Sequence, residues 1–166
     1  GMMMLVDYSG SMYQQLDSVI RQTISLVQFC KRVNIPFEVF ACTTDNNGRN
    51  RLANIRQAGG VNTKFDYEDL VFIELFSNKM SKSELEYAMR TSFFHGQHPR
   101  CMGSLERLGS TPLNAAVLAS QFAIQDFLRT NPVHKMNLIT LTDGASDPAR
   151  HISGKDVENQ DRGWAK

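Results

Sequence analysis

The stretch that decides the fold is Met2-Met3-Met4-Leu5-Val6-Asp7-Tyr8-Ser9-Gly10-Ser11. Its first five residues form an unbroken apolar run, as expected of a strand buried on both faces of a parallel sheet, and Asp7 to Ser11 supply the polar turn that stops it. From Leu16 the pattern changes. Val19, Ile20, Ile24, Val27 and Cys30 recur at the three-and-four spacing of one helical face, which runs out near Val33-Asn34.

Working outward, Ile35 to Cys42 predicts a second strand, with Pro36 tolerated because it stands at the strand's start. Thr43 to Asp66 reads as a long polar connection containing Asn46-Asn47-Gly48 and Gly59-Gly60. Leu70 to Phe76 predicts a third strand. Ser81 and Glu84 make a capping box ahead of a short helix whose face is Leu85, Ala88, Met89, Ser92 and Phe93. His95 to Gly109 reads as irregular. Thr111-Pro112 predicts a helix start, with Thr111 as N-cap and Pro112 at the first helical position. Leu113, Ala116, Val117, Ser120, Ile124, Phe127 and Leu128 carry that helix's stripe. Met136 to Leu141 predicts a fourth strand ending at Thr142-Asp143-Gly144, and the polar residues beyond offer no further strand. Strands alternating with helices predict an α/β chain: a three-layer α/β/α sandwich around a Rossmann-like, mostly parallel sheet. Residues 1–166 are read as a single domain with its core in 2–148 and an irregular tail over 149–166.

Composition narrows the function classes. The 166 residues carry a formal net charge of +1, which leaves no surplus of cations for nucleic acid or an anionic membrane. Cys30, Cys42 and Cys101, an odd number in a chain that can bury its own core, read as reduced thiols and a cytoplasmic setting. The apolar opening meets Asp7 too early to be a signal-peptide core or a membrane span, and Gly1 ahead of it reads as a cloning remnant.

In open α/β sheets functional groups collect beyond the carboxyl ends of strands. Asp7 follows the first strand and Asp143 the fourth. Ser9 and Ser11 follow Asp7, and Thr111 opens the helix that feeds the Asp143 strand. Together they form an all-oxygen set suited to a hard divalent cation such as Mg²⁺, with Mn²⁺ or Ca²⁺ as substitutes. Two carboxylates neutralise the ion, and neutral hydroxyls leave it electrophilic enough to take one more anionic ligand.

Asp7-Tyr8-Ser9-Gly10-Ser11-Met12, Gly109-Ser110-Thr111-Pro112-Leu113 and Leu141-Thr142-Asp143-Gly144 resemble the three loops of the metal-ion-dependent adhesion site (MIDAS) of von Willebrand factor A (VWA) domains. Val33 to Phe40 with Cys42-Thr43-Thr44 resembles the second strand of the cobaltochelatase-subunit branch and its phage-encoded relatives. The resemblance spans roughly Met2 to Pro148. It implies direct metal ligation by Ser9, Ser11 and Thr111, with Asp7 and Asp143 binding directly or through water. It also implies a sixth position for an Asp or Glu of a protein partner. Chelatase-type A domains work with hexameric AAA+ ATPases, so the implied role is a non-catalytic, cobaltochelatase-like interaction module. The family's strand order is 3-2-1-4-5-6, so four predicted strands leave this chain lacking the last ones. The fourth would then be an exposed edge through which copies of the chain could associate.

Other readings compete. The same Asp7 and Asp143 would serve a metal-assisted hydrolase or phosphotransferase, although the nucleophile elbow Gly-x-Ser-x-Gly is absent and Ser9 stands where a phosphoryl-transfer acid would be. His95-x-x-His98-x-x-Cys101 has zinc-like spacing but no obvious fourth ligand. Arg49, Arg51, Arg56 and Lys64 make the long connection locally basic, and Tyr8, Met12 and Tyr13 are candidate specificity contacts beside the metal loop.

Overall fold

The structure is a computed structural model, and it describes residues 1–44, 70–103, 106–144 and 146. Strand β1 (Met2–Asp7) is buried along its whole length. It pairs in parallel with β2 (Phe37–Thr44) on one side and with β4 (Asn137–Leu141) on the other. Strand β3 (Leu70–Ser77) closes the far side of β2 and runs antiparallel to it, with a register shift between Val39 and Phe40. The order β3-β2-β1-β4 makes a mostly parallel sheet of four strands, in which β4 is an edge among the described residues.

Among the described residues three α-helices accompany it: α1 (Leu16–Arg32), α2 (Lys82–Gln97) and α3 (Leu113–Thr130). The alternation along β1 sorts its side chains. Met2, Met4 and Val6 join Leu16, Ile20 and Val27 of α1 and Leu85 of α2 in the larger core, whereas Leu5 meets Ala116 and Ala119 of α3 in the smaller one. Burying such side chains stabilises by roughly 1.5–3 kcal/mol each, so β1 is the strand on which both cores depend.

Local signals explain the helix ends. After α1, Asn34 takes the left-handed conformation (φ 56°) and the Ile35 N–H donates to the Cys30 carbonyl, a Schellman closure that needs Gly or Asn at that point. The capping box forms as expected: Ser81 Oγ accepts from the Glu84 N–H at 3.3 Å and Glu84 Oε2 accepts from the Ser81 N–H at 2.8 Å. The helix behind it is not short. It runs 16 residues, past His95, because Gly96 lets its last turns pack closely on α1, where a Cβ would lie 3.2 Å from the Asp17 Cα. The expected irregular stretch therefore begins only at His98 and contains a 3-10 turn over Pro99–Cys101.

Two further boundaries differ from the sequence reading. Strand β2 extends through Thr43 and Thr44, residues that the sequence assigns to the loop. Helix α3 starts at Leu113, so Pro112 rather than Thr111 is the N-cap residue. The N–H of Asn114, which needs a capping acceptor, finds it in Ser146 Oγ at 2.8 Å. The remainder of the long connection, with its four basic residues, and the tail over 149–166 lie outside the described residues. Among the described residues no helix is long and apolar enough to cross a membrane.

Candidate metal centre

Parallel strands point their carboxyl ends the same way, so β1 and β4, paired from Met2 with Asn137 to Val6 with Leu141, release Asp7 and Asp143 side by side. Asp7 is the last residue of β1 and is 3% exposed. Its Oδ1 accepts the Ser9 N–H at 2.9 Å, and its Oδ2 accepts the Thr142 hydroxyl at 2.8 Å. One carboxylate thus holds the turn after β1 and the turn after β4 together. Ser9 Oγ and Ser11 Oγ lie 2.9 Å apart, and Ser11 Oγ donates to Asp143 Oδ1 at 2.9 Å. Ser11 has one proton and gives it to Asp143, so Ser9 is the donor to Ser11. The two hydroxyls form a chain of donors ending on the exposed carboxylate.

The third loop is brought in by pairing rather than by side chains. Beyond the end of β1, Ser9 and Gly109 form a one-residue parallel bridge, with the Gly10 N–H donating to the Gly109 carbonyl at 2.8 Å and the Gly109 N–H donating to the Tyr8 carbonyl at 2.9 Å. Thr111 follows two residues later, and its own carbonyl accepts from Ser146 Oγ at 3.3 Å. Of the five expected ligands, Asp7, Ser9, Ser11 and Asp143 therefore share one hydrogen-bond chain. Thr111 sits on the adjoining loop without serving as the N-cap of α3.

Among the described residues no Lys, Arg or His is ion-paired with Asp7 or Asp143. Burial pushes the Asp7 carboxyl above the usual carboxylate range. The hydrogen bonds from Thr142 and Ser9 pull it back, and the Asp143 charge adds to the rise. The donor set is all oxygen, and its spacing suits a small hard cation: bonds of about 2.05 Å at right angles put neighbouring ligands about 2.9 Å apart. The contacts from Ser9 to Ser11 and from Ser11 to Asp143 already have that length.

Other side chains singled out by sequence fall elsewhere. Tyr8 and Met12 are 2% and 1% exposed and belong to the interior, so of the three suggested specificity contacts only Tyr13 reaches solvent. Burial, with the Glu106 charge, pushes the Tyr8 phenol upward. His95 Nδ1 lies 3.4 Å from Glu106 Oε2, and His98 packs on the Phe94 ring at 4.8 Å between centroids. Among the described residues no three His, Cys, Asp or Glu side chains gather as a metal cluster, and Cys30, Cys42 and Cys101 are free. Thr142, a hydroxyl tied to Asp7, and Thr43, Thr44 and Gly109 stand in the motif stretches, but the sequence assigns them no role of their own. The Thr-Asp-Gly turn was visible, but nothing in its spacing separated its threonine from an ordinary turn residue.

In comparisons with known proteins the chain matches no family model, no curated protein and no solved structure at a significant level.

Proposed function

We propose that the chain is a VWA-type domain, built as a three-layer α/β/α sandwich, that binds one divalent cation through Asp7, Ser9, Ser11, Thr111 and Asp143. Its role is to present that cation to an Asp or Glu of a protein partner. The observation that carries this reading is the single hydrogen-bond chain joining Asp7, Ser9, Ser11 and Asp143 at the carboxyl ends of two adjacent parallel strands. The strand order β3-β2-β1-β4 supports it, being the first four positions of the family's 3-2-1-4-5-6.

Mg²⁺ suits the site best because its ligands are hard oxygens, with Mn²⁺ or Ca²⁺ as alternatives. On binding, the Ser9 and Ser11 protons would turn away and their lone pairs turn inward, at oxygen separations close to those already present. A cation shared between two carboxylates and neutral hydroxyls keeps positive character at its remaining position, which a partner's carboxylate would satisfy. By the same resemblance the partner is an AAA+ ATPase in a cobaltochelatase-like assembly, and three free cysteines suit a reducing, cytoplasmic setting.

The test is capture of a candidate AAA+ ATPase by the purified chain in Mg²⁺ and in chelator. Capture is expected in Mg²⁺ alone, to be lost with Asp7→Ala, and to change little with monovalent salt because the chain's net charge is only +1. Equal capture by wild type and Asp7→Ala would sink the proposal.

A further inference from the structure

The end of β2 contributes no ligand to the centre, yet two of its side chains reach across to the loop that carries Thr111. Thr43 is fully buried, and its hydroxyl lies 3.0 Å from both the Tyr8 carbonyl and the Arg107 carbonyl, donating between them. Next to it, Thr44 Oγ1 accepts the Ser110 N–H at 2.9 Å. Gly109 lies between these contacts: a Cβ there would be 2.6 Å from Thr44 Oγ1, 2.9 Å from Thr43 Oγ1 and 3.0 Å from the Thr44 carbonyl oxygen. The Tyr8 carbonyl accepts both the Thr43 hydroxyl and the Gly109 N–H. Three segments therefore meet at one point: the exit of β1 bearing Asp7 and Ser9, the exit of β2, and residues 107–111.

We infer that Thr43 and Thr44 are positioning residues, a hydroxyl latch from β2 that fixes where Thr111 stands relative to Ser9 and so sets the affinity of the metal centre. The inference rests on the metal reading above for its effect on affinity, but the latch itself has a readout independent of any ion. The backbone pairing between Ser9 and Gly109 is one residue long, and the Thr43 and Thr44 hydroxyls, carried on an interior strand, add two further ties to the loop. Outer groups that orient ligands commonly alter metal affinity by about 10–100-fold when removed.

The experiment compares wild type with Thr43→Val, which keeps the β-branched shape and removes the hydroxyl, and with Thr43→Ser, which restores it. Thr44→Val serves as a second variant should Thr43→Val not fold. Phe127→Leu, a core change remote from the site, controls for general destabilisation. Mn²⁺ affinity and amide hydrogen exchange at Gly109 and Ser110 are measured on each. Expected are at least about a tenfold weaker Mn²⁺ affinity and faster exchange at both amides in the Val variants, recovery in Thr43→Ser, and unchanged affinity in Phe127→Leu. Wild-type affinity and exchange in both Val variants would overturn the latch, as would an equal loss in Phe127→Leu. Absence of Mn²⁺ binding by the wild type would overturn the metal reading instead, and the latch would then stand or fall on the exchange rates alone.

Discussion

Asp7 sits where a carboxylate is costly: it is nearly inaccessible to water, faces the charge of Asp143 and has no cationic partner among the described residues. Its hydrogen bonds from Ser9 and Thr142 offset that cost only in part, so its folded-state pKa lies above the unfolded value. The folded chain then holds a proton that the unfolded chain has released, and the stability this proton confers is lost as pH rises from the ordinary carboxylate range through the raised value. The metal-free protein should accordingly gain stability from this group on mild acidification, over the same window in which the proposed cation binding would weaken. Asp7→Asn keeps the shape and the bond accepted from the Ser9 N–H, turns the Thr142 contact round so that the new NH2 donates to the Thr142 hydroxyl oxygen, and removes the charge. It is expected to raise the melting temperature of the metal-free protein by a few degrees, on the order of 1 kcal/mol, and to abolish the added stabilisation by Mg²⁺. A thermal scan with and without Mg²⁺ reads both, and a lowered melting temperature in the metal-free variant would show that Asp7 is not strained by its site.

At the scale of elements, the loop bearing Thr111 is joined to β1 by the contact at Gly109, where backbone oxygen and two hydroxyls leave no room for a methyl group. Gly109→Ala should force the loop away from β2, at a cost of about 1–3 kcal/mol for overpacking, and should release the Gly10 and Gly109 amides to faster exchange. Native-state exchange by NMR checks this, and protection equal to wild type would show that the loop adjusts without separating. These elements also show what could be read from sequence. The apolar run of β1, the stripe of α1 and the Ser81–Glu84 box are local patterns, and each formed where expected. What escaped depends on distant partners. Thr43 bonds a carbonyl 64 residues away, and Ser146 caps a helix 32 residues before it, taking the role that the Thr111-Pro112 pair suggested for Thr111. The end of α2 escaped for a related reason, since Gly96 is favourable there only because α1 lies against it.

For the whole molecule, a net charge of +1 gives no overall surplus of either sign, and among the described residues Asp7 and Asp143 stand at one end of the sheet with no cationic partner. Strands β1 and β4 run parallel with nothing between them, so two carboxylates from distant parts of the chain emerge together. The sheet topology is therefore what creates the candidate centre, and the serines and threonines fill it with neutral oxygens. A site that binds only the folded chain also stabilises that chain in proportion to ligand concentration, so metal binding and folding should be linked. The most direct test is titration with Mn²⁺, following the free ion by electron paramagnetic resonance, on wild type, Asp7→Ala and Asp143→Ala. One bound ion per wild-type chain, displaced by Mg²⁺ and lost in both variants, is the predicted result; no binding by the folded wild type, or equal binding by all three proteins, would contradict the account.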